Sequence, residues 1–92
     1  MTFKIIISKE AELHLERLKK NSKNDYIKCF DLVRAILLNP RFGIGKPERL
    51  KHYPDLEVWS REINKKDRLV YVINEEYATI SIESCLGHYR DK

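Results

Sequence analysis

Apolar and polar residues change their spacing partway along the chain, and the change divides it into a helical first half and a sheet-rich second half. Phe3 to Ile7 is a short apolar, β-branched run that predicts a strand. Ser8 follows where a hydroxyl can cap a helix whose first turn holds Glu10 and Glu12. Ala11, Leu15 and Leu18 recur at i, i+4 and i+7, one apolar face ending at the Lys-Lys-Asn-Ser break of residues 19 to 22. A second helix is predicted to begin near Ser22 to Asn24. Its expected buried stripe is Tyr26, Phe30, Val33 and Leu37, widened by Ile27 and Ile36, and Asn39-Pro40 ends it because the residue before proline resists helical geometry.

From Phe42 onward Gly43, Gly45 and Pro47 punctuate a loop, and the remaining segments alternate. Val58 to Ile63, Arg68 to Ile73 and Ala78 to Leu86 read as consecutive strands joined by hairpin-length connections at residues 64 to 67 and 74 to 77. Glu48 to Lys51 is a candidate for one more short strand. This order implies an α+β domain spanning residues 1 to 92, with an N-terminal strand and a two-helix hairpin packed on one face of an antiparallel β-sheet. The other face is then free to bind.

Ninety-two residues allow one small domain, and 42% hydrophobic with 35% charged residues is the balance of a soluble globular chain. No apolar run approaches the roughly 20 residues that span a bilayer, and the start turns charged too soon for a signal peptide. No membrane association and a cytoplasmic location are therefore expected. Cys29 and Cys85 are single, sit in apolar surroundings and lack metal-type spacing, so they read as reduced, packed thiols. Lys plus Arg exceed Asp plus Glu by 18 to 14, a formal +4 that favours a polyanionic partner. The excess concentrates in residues 41 to 71, which hold Arg41, Lys46, Arg49, Lys51, Arg61, Lys65, Lys66 and Arg68, with His52 among them.

Cleaving RNA through its own 2′-hydroxyl requires a base for that proton, positive charge for the pentacoordinate phosphate and an acid for the departing 5′-oxygen. Glu48, Arg68 and His88 offer one group for each role, while taken singly Glu48 also reads as a surface charge offsetting its lysines and Arg68 as the start of a strand beside Asp67. Glu48 sits among Lys46, Arg49, Lys51 and His52, cations expected to keep it ionised. His88 belongs to the residue type with a reference pKa of about 6.5, suited to an acid near neutrality. Simple alternation with Ile80 and Ile82 would turn His88 toward an apolar face, and a glycine bulge at Gly87 would re-aim it. No His/Asp/Glu cluster has metal-ligand spacing, and neither a phosphate-binding glycine loop nor a Gly-x-Ser-x-Gly elbow is present. No metal and no cofactor are expected.

Four ordered blocks, Gly45-Lys46-Pro47-Glu48-x-Leu50-Lys51-His52, Trp59-Ser60-Arg61, Asp67-Arg68-Leu69-Val70-Tyr71 and Cys85-x-x-His88-Tyr89, resemble the Txe/YoeB toxins, a branch of the RelE-type mRNA interferases. The resemblance covers nearly the whole chain and implies a RelE-like fold. It implies a toxin of a type II toxin-antitoxin system: a ribosome-dependent endoribonuclease that cuts mRNA in the A site without a metal. The expected products are a 2′,3′-cyclic phosphate and a 5′-hydroxyl. Carried over by position, Glu48 is the general base, Arg68 the phosphate-stabilising arginine, His88 the general acid and Tyr89 the C-terminal tyrosine of the site, with Arg61 assisting. Lys46, Arg49, Lys51, Lys65 and Lys66 are expected to contact nucleic-acid backbone.

The implied partners are a cognate antitoxin of YefM/Axe type, the ribosome and its mRNA, operator DNA only as a toxin-antitoxin complex, and a second copy in a homodimer. Two departures from the family pattern stand out. Glu62 occupies the place of the second arginine in a Trp-Ser-Arg-Arg motif, so that contact must come from Arg61, Lys46 or Lys51, or be weaker. Arg90-Asp91-Lys92 extend the segment after His88-Tyr89. The alternative reading is a non-catalytic inhibitor of the same fold that binds gyrase or the ribosome.

Overall fold

The computed structural model describes residues 2–87; His88 and Tyr89, two of the expected site residues, lie outside the described residues, as do Met1 and residues 90–92. Strand β1 (Lys4–Ile7) leads into helix α1 (Lys9–Asn21), and helix α2 (Lys23–Leu38) follows without a loop. Ser8 caps α1 as expected: its hydroxyl accepts from Ala11 N–H at 3.0 Å and donates to the Glu83 carbonyl at 3.0 Å. One side chain thus ends a helix and ties it to a distant strand. Asn39 closes α2 immediately before Pro40, where the pre-proline restriction places the stop.

The second half forms β2 (Glu48–Leu50), β3 (Glu57–Glu62), β4 (Arg68–Asn74) and β5 (Thr79–Ser84). The sheet order is β1-β5-β4-β3-β2. Strands β2 to β5 pair antiparallel, while β1 lies parallel to β5, so the sheet is mixed at that edge rather than wholly antiparallel. Between Val70 and Tyr71 the register steps, because their partners are Ser84 and Ile82 and Glu83 is the extra residue. The irregularity therefore precedes Gly87. Gly87 itself has φ +94°, a left-handed conformation that glycine adopts without steric cost.

Pairing register assigns the sheet faces. Arg61, Ile63, Leu69, Tyr71, Ile73, Ile80 and Ile82 are buried toward the helices with Ala11, Leu18, Cys29, Leu32 and Ile36. On the opposite face Leu50, Val58 and Val70 form a smaller apolar cluster with Tyr53 and Val72 against it. The innermost residues of α2 are Cys29, Leu32 and Ile36, whereas Tyr26, Phe30 and Val33 are half-buried and Leu37 and Ile27 are 41% and 52% exposed. The buried stripe is thus rotated from the one predicted. Apolar residues surround most of this helix, so spacing alone leaves its phase ambiguous. Among the described residues, no helix is long and apolar enough to cross a membrane.

Candidate active site

The loop between α2 and β2 is built around Arg61. Alternation along β3 sends Trp59 and Arg61 toward the helices and Ser60 and Glu62 to the open face. Arg61 is completely buried, and a guanidinium survives there only if its donors are used. Nη1 donates to the Ile44 carbonyl at 3.1 Å, Nη2 to the Asn39 and Phe42 carbonyls at 2.8 and 3.1 Å, and Nε to the Tyr71 hydroxyl at 3.1 Å. Tyr71 in turn donates to the Pro40 carbonyl at 2.7 Å. Burial pushes the Tyr71 pKa up, against the opposing pull of Arg61, and keeps the phenol a neutral donor.

Gly45 is pressed into the same assembly with φ +85°, where a Cβ would stand 2.7 Å from Leu32 Cδ2 and 3.0 Å from Arg61 Cβ. Its carbonyl accepts from Glu62 N–H at 2.7 Å. Arg61, expected to assist catalysis, lies on the helix-covered face at zero exposure, across the sheet from Glu48 and Arg68. It shapes the loop that delivers Glu48.

Glu48 begins β2 opposite Ser60, and Glu62 stands opposite Arg68. These residues converge on the open face. Arg68 Nη1 lies 3.6 Å from Glu48 Oε1 and donates to the Ser60 hydroxyl at 3.0 Å, while Nη2 lies 3.5 Å from Glu62 Oε2. Lys46, at φ +51°, brings Nζ to 3.7 Å from Glu62 Oε1. Glu62 therefore sets a carboxylate against Arg68 where the sequence comparison leads one to look for a second cation. Ser60, buried and hydrogen-bonded to Arg68, is a site residue that the sequence reading did not single out. Its place between Trp59 and Arg61 in the quoted block was the available signal.

The basic candidates divide by surroundings. Lys46, Arg49, Lys51, Lys65 and Lys66 are exposed. Arg41 is withdrawn from the group by two hydrogen bonds to the Glu57 carboxylate, at 2.7 and 2.8 Å, and a third to Glu75 at 2.8 Å. Those bonds raise the Arg41 pKa, and the Arg41 guanidinium, with help from the Trp59 indole N–H, lowers that of Glu57. Trp59 is a packing residue against the core, with its N–H on Glu57 at 2.8 Å.

Beyond β5 the backbone is fastened twice by side chains and once by backbone. Cys85 N–H donates to His14 Nδ1 at 3.1 Å, and Gly87 N–H donates to Asp67 Oδ1 at 2.9 Å. The Gly87 carbonyl accepts from Arg68 N–H at 3.3 Å, so the residue preceding His88 lies beside the arginine of the site. Neither His14 nor Asp67 drew notice for this role in the sequence, because their partners are 71 and 20 residues away. Both cysteines are buried and free, and hydrogen bonding to Cys85 together with burial raises the Cys29 pKa, which leaves an inert thiol. Among the described residues, no group of three or more His, Cys, Asp or Glu side chains is placed to hold a metal ion.

Comparison with known proteins agrees with this fold. Residues 9–89 match the family model described as the YoeB-like toxin of bacterial type II toxin-antitoxin systems. A YoeB toxin of Escherichia coli K12 is 33% identical over 86 residues, covering 94% of this chain and 99% of that one. A YoeB toxin of Synechocystis is 47% identical over 60 residues, covering 64% of this chain and 65% of its own length. Among solved structures, a YoeB/ParE toxin from Agrobacterium tumefaciens superposes with a TM-score of 0.84 at 28% identity, covering 95% of this chain and all 100% of that one. The YoeB dimer from Staphylococcus aureus gives 0.81 at 35% identity, with 97% and 100% covered. By fold, core motif order and extent of match, this chain belongs to the YoeB-like toxins of bacterial type II toxin-antitoxin systems.

Proposed function

We propose that the protein is a ribosome-dependent mRNA endoribonuclease that cuts in the A site without a metal and is silenced by a cognate antitoxin. The observation that carries the reading is the Glu48–Arg68 pair, 3.6 Å apart on the helix-free face, with Ser60 holding the guanidinium. Glu48 is 60% exposed, so its carboxylate can reach the 2′-hydroxyl of a bound nucleotide and take its proton. Arg68, 19% exposed and pinned by Ser60, presents fixed positive charge to the phosphate as the fifth oxygen adds. His88 protonates the departing 5′-oxygen and Tyr89 completes the site. Gly87, bonded to Arg68 N–H, leads directly into these two residues.

Lys46, Arg49, Lys51, Lys65 and Lys66 hold mRNA and ribosomal RNA by their backbones, which contributes affinity without sequence preference. In the free chain Glu62 and Glu48 flank Arg68, so an incoming phosphate must displace at least one carboxylate contact. A Staphylococcus aureus relative at 34% identity was solved as a heterotetrameric YoeB-YefM toxin-antitoxin complex, and another at 35% as a dimer. An antitoxin of that type is the partner proposed here.

The test maps 5′ ends on a defined mRNA held on ribosomes with a known A-site codon, once with ribose and once with 2′-deoxyribose at the cut position. Cutting of the first and not the second is expected. Equal cutting of both would refute attack by the 2′-hydroxyl.

A further inference from the structure

Asp67 is the one acidic side chain buried among the described residues, at 6% exposure, and it is not spent on its neighbour Arg68. Its oxygens are divided between two partners. Oδ1 accepts from Gly87 N–H at 2.9 Å, and Oδ2 accepts from Asn64 Nδ2 at 3.2 Å. Asn64 Nδ2 also donates to Asp25 Oδ2 at 2.9 Å, which receives the Ser22 hydroxyl at 3.0 Å. The side-chain oxygen of Asn64, Oδ1, accepts from the N–H groups of Lys66 and Asp67, both at 2.7 Å, which fixes the β3–β4 turn. A continuous set of bonds therefore runs from the α1–α2 junction through the turn to Gly87.

Gly87 lies beyond the end of β5, yet both of its backbone groups are held, its N–H by Asp67 and its carbonyl by Arg68 N–H. Bonds from an amide to a buried carboxylate are short and strong, and a group displaced by about 1 Å can lose about 10²-fold in rate. We infer that Asp67 is a positioning residue for RNA cleavage: its carboxylate fixes the N–H of Gly87, the residue that precedes His88 in the chain, and acid catalysis by His88 depends on that anchor. This rests on His88 being the general acid.

The experiment measures single-turnover cleavage of ribosome-held mRNA by wild type, Asp67→Ala, Asp67→Asn and His88→Ala. Each is run with a natural linkage and with sulfur in place of the 5′-oxygen at the cut. A thiolate leaves without protonation, so a defect in acid catalysis disappears on sulfur. Asp67→Ala should slow the natural cut by about 10- to 10²-fold and the sulfur cut hardly at all, in parallel with His88→Ala. Asp67→Asn, which keeps an oxygen for Gly87 but turns its amide nitrogen toward Asn64 Nδ2, should recover part of the loss. If the alanine variant does not fold, Asp67→Ser keeps a polar group in the cleft but withdraws the oxygen from Gly87, and the same outcome is expected.

A slowing equal on both linkages, or none on either, overturns the inference while leaving the nuclease reading intact. Wild-type protein that cuts neither linkage overturns both. A His88→Ala protein as fast as wild type on the natural linkage removes the acid role and the inference with it.

Discussion

The two faces of one sheet use the same residue type for opposite purposes. Arg61 on the helix-covered face and Arg68 on the open face are seven positions apart, and both lie within recognisable motif blocks. Arg61 spends its donors on three backbone carbonyls and a phenol, at zero exposure. Arg68 meets a buried hydroxyl on one side and, toward solvent, two carboxylates whose contacts a phosphate can exchange. A guanidinium satisfied by carbonyls is a construction element, whereas one balanced by solvent-accessible carboxylates is available for chemistry. Membership of a motif does not distinguish them; strand parity does.

The largest expected effect breaks the covered face. Arg61→Leu removes four hydrogen bonds and strands their acceptors. At about 1 kcal/mol each, the loss is about 4 kcal/mol of the roughly 5–15 kcal/mol available to a domain, read as a fall in the urea midpoint. Arg68→Ala should do the reverse, changing stability by no more than about 1 kcal/mol while lowering single-turnover cleavage about 10²- to 10³-fold. A destabilised Arg68→Ala or a fully stable Arg61→Leu would erase the distinction between the faces.

A smaller effect sharpens it. Glu62→Gln frees one side of Arg68, and because the pair is partly exposed the gain in cleavage rate should be at most about fivefold, diminishing with added salt. An unchanged rate would mean that Glu62 does not compete with phosphate.

The smallest effect concerns the Arg41–Glu57 pair. Glu57 has its pKa lowered in the folded state, chiefly by the Arg41 hydrogen bonds, so its contribution to stability is present above the ordinary carboxylate value and lost as pH falls through the lowered one. Urea unfolding should therefore show Glu57→Gln less stable than wild type at neutral pH, with the difference closing below about pH 4.5. A difference independent of pH would assign the effect to packing instead.

Local signals in the sequence located most elements. The Ser8 cap, the Asn39-Pro40 stop and the two hairpin connections depend on residues close in the chain, and each fell where the spacing put it. The parallel seating of β1 beside β5 depends on partners some 75 residues apart and left no local trace. For the site, Glu48 and Arg68 are brought together as the motif order implies. The burial of Arg61 was open to inference from Trp59, Arg61 and Ile63 sharing one parity, but the motif grouped it with the surface residues. Ser60, Asp67 and His14 carry nothing in residue type that separates them from ordinary surface polar groups. Their roles arise only when strands and helix bring distant backbone within reach.

The claim that chemistry belongs to the open face is tested most directly by single-turnover cleavage of ribosome-held mRNA by Glu48→Gln beside wild type, with unfolding midpoints measured on the same preparations. The account predicts a rate lowered by about 10²-fold or more and a nearly unchanged midpoint. Cutting at the wild-type rate by the stable variant would contradict it.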